Sequence, residues 1–229
     1  MNPEMGIFEA FYESPLQHPI LLWLSAVLAM ALCAKRRGLD TSLRRYCMAL
    51  GVLSLLDAWL SSRQIYGIGT LSETLATVVP LFFVLAGDFR FLLFAVSATS
   101  GGRIEWTRGR TALALGVTLI VPLSTQLVLH LLPSSLDTPR VMFFVYEVAF
   151  VALTLCLLRF HANVRNVGWV RRVSRFVVVY YSLWATADLI ILTTGADIGY
   201  LLRVVPNVLY YGGLIFVMAQ FAPATQDPD

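Results

Sequence analysis

The stretch "TALALGVTLIVPLSTQLVLHLL", residues 111–132, contains 22 consecutive residues without Asp, Glu, Lys or Arg. About 20 mostly apolar residues in an α-helix span the roughly 30 Å hydrocarbon core of a bilayer. The whole chain shares this character, because 58% of its 229 residues are hydrophobic and only 14% are charged. Average soluble domains carry about 25% charged residues. The sequence therefore predicts an integral, multi-pass membrane protein with little chain left for a soluble domain.

Six further apolar stretches flank residues 111–132, and each is long enough to cross a membrane as a helix. They cover residues 16–34, 46–62, 71–98, 141–158, 176–194 and 200–221. The prediction is an all-α fold in which residues 1–229 form a single domain of seven transmembrane helices. Three Glu and no basic residue precede the first helix, so we expect it to remain as an anchor rather than to be removed as a signal peptide.

Basic residues are concentrated in alternate loops, which indicates orientation because cytoplasmic loops retain Lys and Arg. Thirteen of the 17 basic residues follow the first, third and fifth stretches. They are Lys35, Arg36, Arg37, Arg44, Arg45, Arg103, Arg108, Arg110, Arg159, Arg165, Arg171, Arg172 and Arg175. We predict an outside N-terminus and an inside C-terminus in a bacterial inner membrane, with anionic lipid headgroups beside the basic loops. Topology alone accounts for these charges, so no nucleic-acid binding is predicted.

The Cys and His residues are few and dispersed, without the spacing typical of a disulfide framework or a metal site. They are Cys33, Cys47, Cys156, His18, His130 and His161. We therefore predict no metal site and no cofactor. No nucleophile stands beside a base in the pattern, so no catalytic residue is predicted, although aspartates on two helices can in principle act as acid and base.

Two segments of the chain share a pattern. The intervals from Arg44 to Asp57 and from Arg175 to Asp188 are both 13 positions, in "RRYCMALGVLSLLDAWL" (44–60) and "SRFVVVYYSLWATADLI" (174–190). Each segment is followed by IG and then VVP, at intervals that differ by four residues. This favours two parallel repeats, residues 15–98 and 139–221, joined by a linker helix at 111–132. The alternative is coincidence, because IG and VVP are common in membrane sequences.

Seven helices with an outside N-terminus in a 3+1+3 order resemble the SWEET and PQ-loop transporters, and also the microbial rhodopsins. The resemblance lies in architecture alone, because "SPLQHP" (14–19) contains no Pro-Gln pair. The seventh stretch, "VVPNVLYYGGLIFVM" (204–218), has no Lys to hold retinal, and Lys35 is the only Lys in the chain. The transporter resemblance implies movement of a small solute, whereas a retinal photoreceptor of the ordinary kind is excluded.

Three carboxylates lie inside predicted spans, where charged side chains usually face the bundle interior and mark binding sites or pathways. Asp57, Glu147 and Asp188 each lie about six residues, or about 9 Å, from the outer ends of their helices. The other members of the predicted site are Arg203, Trp184, Tyr210 and Tyr211. If these helices converge, the result is an acidic, aromatic cavity open to the outside. Such a cavity suits a small polar or cationic solute, or a proton.

A structural interpretation of the same acids is equally open. Asp188 can pair with Arg203, and Asp57 with Arg63, so that the charges fix helix register without a ligand. Under this interpretation the three carboxylates need not meet.

Asp88 and Arg90 lie towards the inner end of the third stretch. At this depth we expect a solvated ion pair beside the inner headgroups.

Pro80 and Pro206 occupy equivalent positions of the two predicted repeats, inside the third and seventh stretches. A proline in a membrane helix frees a carbonyl that neighbours or water must satisfy. We predict hinges at both positions, which suit a transporter that rocks or a sensor that switches. The alternative is two plain kinks in a static bundle.

Three functions fit these patterns. The leading hypothesis is a protein that binds a small solute or a proton at the outer acidic site and translocates it. The second is a sensor or accessory subunit that works through a partner protein or a second copy of the chain, with structural buried charges. The third is an intramembrane lipid-modifying enzyme, for which the sequence displays no paired nucleophile and base.

Overall fold

A computed structural model of the chain describes residues 5–62, 73–136 and 138–224, with residues 73–80 described by their backbone alone. In this part of the chain the elements are helices, and the one extended pairing is an isolated bridge between Ala98 and Ile104. The helices are α1 (Ile7–Tyr12), α2 (Leu16–Lys35), α3 (Thr41–Leu60), α4 (Glu73–Ser97), α5 (Arg108–Leu131), α6 (Pro139–Phe160), α7 (Ala162–Asn166), α8 (Gly168–Thr194) and α9 (Ile198–Phe221). The predicted all-α class is confirmed for these residues.

Five of the helices are long and apolar enough to cross a membrane, namely α2, α5, α6, α8 and α9. Each coincides with one of the seven predicted spans, so a multi-pass membrane protein is supported. The other two predicted spans correspond to α3 and α4, which are not among these five. In α3, three charged side chains, Arg44, Arg45 and Asp57, lie within 20 residues. The count of seven spans and the orientation of the bundle stay predictions.

Three helices depart from regular α-helical bonding at or near a proline. The first turn of α2, Leu16–Leu21, has π-type bonding and a non-helical backbone at His18, just before Pro19. Pro122 has no N–H for the carbonyl of Thr118, and α5 is interrupted at Leu119. Helix α9 changes to wider, π-type hydrogen bonding at Leu209–Gly213, shortly after Pro206. Pro80 lies within α4, where only the backbone is described. Hinge motion at Pro80 and Pro206, like the predicted duplication of residues 15–98 and 139–221, stays a prediction.

Helix α8 is the longest helix, with 27 residues, and it packs against both α6 and α9. Helix α9 in turn packs against α2, and Gly212 allows the two backbones to approach closely. A Cβ atom at Gly212 would lie 2.4 Å from the carbonyl oxygen of Ser25. The core contains the fully buried side chains of Phe91, Phe150 and Tyr180, with others from the same helices.

Helix α5 lies against α4 and α6 and leaves one apolar face uncovered. The exposed side chains on it include Leu113, Leu115, Leu119, Leu123, Leu127 and Leu131. Large apolar surface of this kind is stable against lipid tails and costly against water. The uncovered face of α5 therefore agrees with a membrane location.

Candidate functional site

Four charged side chains from α6, α8 and α9 form one group, which we name the outer cluster: Arg140, Glu147, Asp188 and Arg203. The Asp188 carboxylate is fully buried, and its Oδ1 accepts a hydrogen bond from Arg140 Nη1 at 2.9 Å. The same oxygen accepts a second bond from Arg203 Nη1. Arg203 Nη2 lies 4.0 Å from Glu147 Oε1, an ion pair that is too long for a hydrogen bond. Asp188 is therefore the tightly held acid of the cluster, and Glu147 is the loosely held one.

A pocket of about 400 Å³ opens beside the two arginines. Its lining consists of Tyr12, Thr138, Pro139, Arg140, Phe143 and Arg203. The lining thus contains two guanidinium groups and no carboxylate, because Asp188 and Glu147 are buried behind the arginines. The exposed charge of this pocket is basic, whereas the sequence predicted an acidic cavity.

The short helix α1 closes one side of this pocket. Arg203 Nε donates a hydrogen bond to Tyr12 Oη at 3.1 Å, and the rings of Tyr12 and Tyr200 are in contact. The Asp197 carboxylate accepts hydrogen bonds from the backbone N–H groups of Phe8 and Glu9, at 2.9 and 2.8 Å. These two bonds fix the first turn of α1, so Tyr12 at its end is placed over Arg203.

Two carboxylate oxygens of the outer cluster are left with free acceptor capacity. Glu147 Oε2 and Asp188 Oδ2 are both buried and have no hydrogen-bond partner among the described residues. Buried polar atoms in proteins are nearly always hydrogen-bonded, so each unpaired one calls for an explanation. These oxygens can accept a hydrogen bond from a solute or water, or they can hold a proton.

A second polar group, which we name the inner cluster, lies deeper in the bundle and contains Asp57, Asp88, Arg90, Tyr146, Tyr181 and Tyr210. The buried Asp88 carboxylate accepts hydrogen bonds from the hydroxyl groups of Tyr146 on α6 and Tyr181 on α8. A carboxylate in the bundle core is thus held by two neutral donors rather than by a cation.

Arg90 connects α4 to α3 and α9. Its Nη1 donates to Ser54 Oγ at 2.9 Å, and its Nη2 donates at 2.8 Å to the carbonyl of Tyr210. The Tyr210 carbonyl belongs to the π-type turn Leu209–Gly213. The guanidinium also stacks on the Tyr210 ring, 4.0 Å from the centroid, while Nε has no partner among the described residues. The buried Arg90 of α4 therefore donates to a backbone carbonyl at the place where the hydrogen bonding of α9 is irregular.

Asp57 lies apart from the other two predicted carboxylates. Its Oδ1 accepts a hydrogen bond from Ser61 Oγ at 2.9 Å, and Tyr211 is a second polar neighbour. The structure brings Glu147 and Asp188 together around Arg203, but none of the described contacts joins Asp57 to them. The alternative partner Arg63 lies outside the described residues.

The expectation of a solvated ion pair between Asp88 and Arg90 is wrong. Their exposed fractions are 1% and 3%, and each contacts different helices. Residues two positions apart on an α-helix project about 200° from each other, because successive residues are about 100° apart. The two side chains therefore cannot meet, and each is buried against its own partners.

The aromatic residues of the predicted site are packed into the core. Trp184 Nε1 donates to Asn207 Oδ1 at 2.8 Å, and the ring of Trp184 lies 5.2 Å from that of Tyr210. The rings of Tyr210 and Tyr211 are also 5.2 Å apart. The lining of the outer pocket includes none of these three aromatic residues. They hold α8 against α9 behind the outer cluster.

The sequence contains a signal for the two clusters. Tyr181 and Asp188 are seven residues apart on α8, and Arg203 and Tyr210 are seven residues apart on α9. Seven residues are close to two helical turns, so each pair lies on one face with a separation of about 10 Å. The spacing therefore indicates two polar layers on facing helices. The role of Tyr12 has no comparable signal, because it depends on the docking of α1.

The dispersed histidines do not combine into a metal site, and among the residues described no group of three or more His, Cys, Asp or Glu side chains lies close enough to hold a metal ion. His161 is half-buried, and this burial lowers its pKa. Its Nδ1 accepts a hydrogen bond from the backbone N–H of Val164 at 3.4 Å, which caps α7.

Comparison of the chain with models of protein families, with curated proteins and with solved structures finds no match. The functional argument therefore depends on the geometry of the two clusters.

Proposed function

We propose that this chain is a seven-helix membrane protein with an outside N-terminus, which accepts a proton or a small polar solute at the outer cluster and moves it into the bundle. The observation that carries this proposal is the pair of buried, unpartnered oxygens, Glu147 Oε2 and Asp188 Oδ2, behind the arginines that line a pocket. Ionisable groups inside a membrane are costly and commonly belong to transport pathways.

Glu147 is the group that exchanges protons or hydrogen bonds in this scheme. Asp188 is bound by two arginines through hydrogen bonds, whereas Glu147 has one distant cation at 4.0 Å and a free oxygen. A group with weak existing contacts can form and lose new ones at little cost. The basic lining of the pocket disfavours a cationic solute, so the proposed solute is a neutral or zwitterionic polar molecule. A proton stays in the proposal because Glu147 can hold it at Oε2, the oxygen without a partner.

Helix α6 supplies the continuation of the pathway. Tyr146 is adjacent to Glu147 in the chain and donates its hydroxyl to Asp88 in the inner cluster. Adjacent residues on a helix project about 100° apart, so α6 contributes one residue to each cluster, and none of the described contacts joins Glu147 to Tyr146 directly. Together the two clusters provide polar groups at two depths of the bundle, about 10 Å apart by helical rise.

Proton flux into proteoliposomes, recorded with an entrapped pH-sensitive dye, tests this function. We expect Glu147→Gln to reduce flux to the level of empty liposomes, because it removes the exchangeable carboxylate. Glu105→Gln is the matched control. Glu105 is exposed in the loop between α4 and α5, pairs with Arg110 in the first turn of α5, and belongs to neither cluster. Undiminished flux in Glu147→Gln and in Asp188→Asn would refute the proton version. A panel of neutral and zwitterionic solutes, assayed for uptake with the same variants, tests the solute version.

A second candidate function, a sensor or accessory subunit acting through a partner protein, is favoured by the closed state of the inner cluster. Asp88 is held by two hydroxyl groups, and Arg90 by Ser54 and Tyr210, as in a structural network that fixes helix positions. Purification in mild detergent distinguishes the two functions. A stoichiometric partner together with no flux from the isolated chain supports the subunit.

A further inference from the structure

A cavity of about 600 Å³ lies at the end of the bundle opposite the outer cluster, between the beginnings of α3 and α8, the loop between α4 and α5, and the end of α9. Its lining consists of Asp40, Ser42, Leu43, Gly101, Gly102, Arg103, Ile104, Trp169, Ala222, Pro223 and Ala224. Cavities of this size accommodate small ligands. The outer cluster and the proposed transport pathway do not use it.

Arginines from four segments lie in the lining of this cavity or near it. Arg103 belongs to its lining, and Arg36 donates to the carbonyl of the lining residue Ala222. Arg44 Nη2 donates to the Arg36 carbonyl at 2.8 Å, and the Arg172 guanidinium lies 4.8 Å from the ring of Phe221, the neighbour of Ala222 in the chain. These residues lie on the side of the bundle to which the sequence assigns most of its positive charge.

The acidic groups near the cavity are already engaged. Asp40 is the acidic residue of the lining, and its Oδ1 accepts the backbone N–H of Leu43 at 2.9 Å as the cap of α3. Glu105, in the adjoining loop, pairs with Arg110 at 3.1 Å. The guanidinium groups at the cavity are thus not neutralised by a carboxylate in any described contact.

Two arginine nitrogens beside the cavity lack hydrogen-bond partners. Arg36 Nη1 and Arg44 Nε are buried atoms without a partner among the described residues. An arginine carries five N–H donors and binds phosphate through pairs of them, so these two neighbouring arginines keep donors available for an acceptor. The Ser42 hydroxyl in the cavity lining adds a further donor at the same place.

We propose that this inner cavity binds a phosphate group, held by Arg103 in its lining and by Arg36 and Arg44 at its edge. The group belongs either to a soluble phosphate ester or to an anionic lipid headgroup, because both present the same oxygen acceptors. The inference is independent of the proposed transport function.

The test titrates the full-length protein in uncharged detergent with inorganic phosphate by calorimetry. A parallel arm measures thermal stabilisation in nanodiscs of phosphatidylglycerol against nanodiscs of phosphatidylcholine. The variant is Arg103→Gln, an exposed position where the substitution removes a charge without opening the core. The control is Arg165→Gln, an exposed arginine in α7 whose Nε contacts only its neighbour Asn166 among the described hydrogen bonds.

We expect Arg103→Gln to weaken phosphate binding by about tenfold, the value of one charge-assisted hydrogen bond, and Arg165→Gln to leave it unchanged. Calorimetric binding with this pattern identifies a soluble phosphate ester. A lipid headgroup is identified by thermal stabilisation in phosphatidylglycerol nanodiscs, with the same dependence on Arg103 and without calorimetric binding of inorganic phosphate. Absence of both signals in the unsubstituted protein, or equal losses in the two variants, overturns the proposal.

Discussion

The outer and inner clusters hold buried charges in different ways, although the same three helices, α6, α8 and α9, contribute to both. In the outer cluster, Asp188 is bound directly by two arginines whose side chains are 29% and 14% exposed. In the inner cluster, Asp88 and Arg90 are both buried, do not contact each other, and are held by hydroxyl groups, a carbonyl and an aromatic face.

This difference separates a group that can exchange partners from one that cannot. The outer arginines face a pocket, and two carboxylate oxygens beside them are unpaired among the described residues. Both oxygens of Asp88, in contrast, are occupied by tyrosine hydroxyls. Among the described residues of the two clusters, the buried carboxylate oxygens without a partner therefore belong to the outer cluster, whereas both oxygens of Asp88 have one.

The largest expected difference between the clusters concerns their arginines. Arg90→Met should lower the free energy of unfolding by about 2–4 kcal/mol, because it removes the donor to Ser54 Oγ and leaves the buried Tyr210 carbonyl without that hydrogen bond. Arg140→Met should cost about 1 kcal/mol or less, because Arg140 is partly solvated and Arg203 still binds Asp188. Denaturation in mixed micelles measures both. Equal losses of unfolding free energy in the two variants would mean that the outer and inner clusters hold their arginines equally tightly.

Coupling energies offer a finer comparison. A double-mutant cycle of Tyr181→Phe with Asp88→Asn should give about 1.5–3 kcal/mol, the range for a hydrogen bond to a charged group. The cycle of Tyr181→Phe with Asp188→Asn, two turns along the same helix, should be additive within about 0.5 kcal/mol. Strong coupling in the second cycle would show that the two clusters behave as one network.

The sequence predicted the helices well and the contacts of the charged residues poorly, for a physical reason. Apolar stretches are read directly from composition, and α6 (Pro139–Phe160) extends only two residues beyond each end of the predicted span 141–158. Depth along a helix is also readable, which placed Glu147 and Asp188 near the same level. The direction in which a side chain points relative to other helices depends on packing, so Asp57 has partners other than Glu147 and Asp188.

Gly87 tests how closely the inner cluster is packed. A Cβ atom at Gly87 would lie 1.5 Å from Tyr210 Oη, and the Tyr210 ring is confined between Arg90 and Trp184. Gly87→Ala should therefore cost about 1–3 kcal/mol of unfolding free energy. Gly116→Ala is the matched control, because nothing lies within 4 Å of its Cβ position in α5. There the change should be neutral or should stabilise the helix by up to about 1 kcal/mol. A loss at Gly116 equal to that at Gly87 would contradict the close packing.

The smallest expected effect concerns the cover of the outer cluster. Tyr12→Phe keeps the ring against Tyr200 but removes the hydrogen bond from Arg203 Nε, which is worth about 0.5–1.5 kcal/mol. The amides of α1 should then exchange with solvent about 2–10 times faster, while the amide of Tyr210 in the inner cluster should be unaffected. Hydrogen exchange with mass spectrometry measures both segments in one experiment. Unchanged exchange in α1 would mean that Asp197 alone holds this helix, and that the outer arginines are covered independently of the bond to Tyr12. Faster exchange confined to α1 would instead show that the bond between Tyr12 and Arg203 holds this helix over the outer cluster.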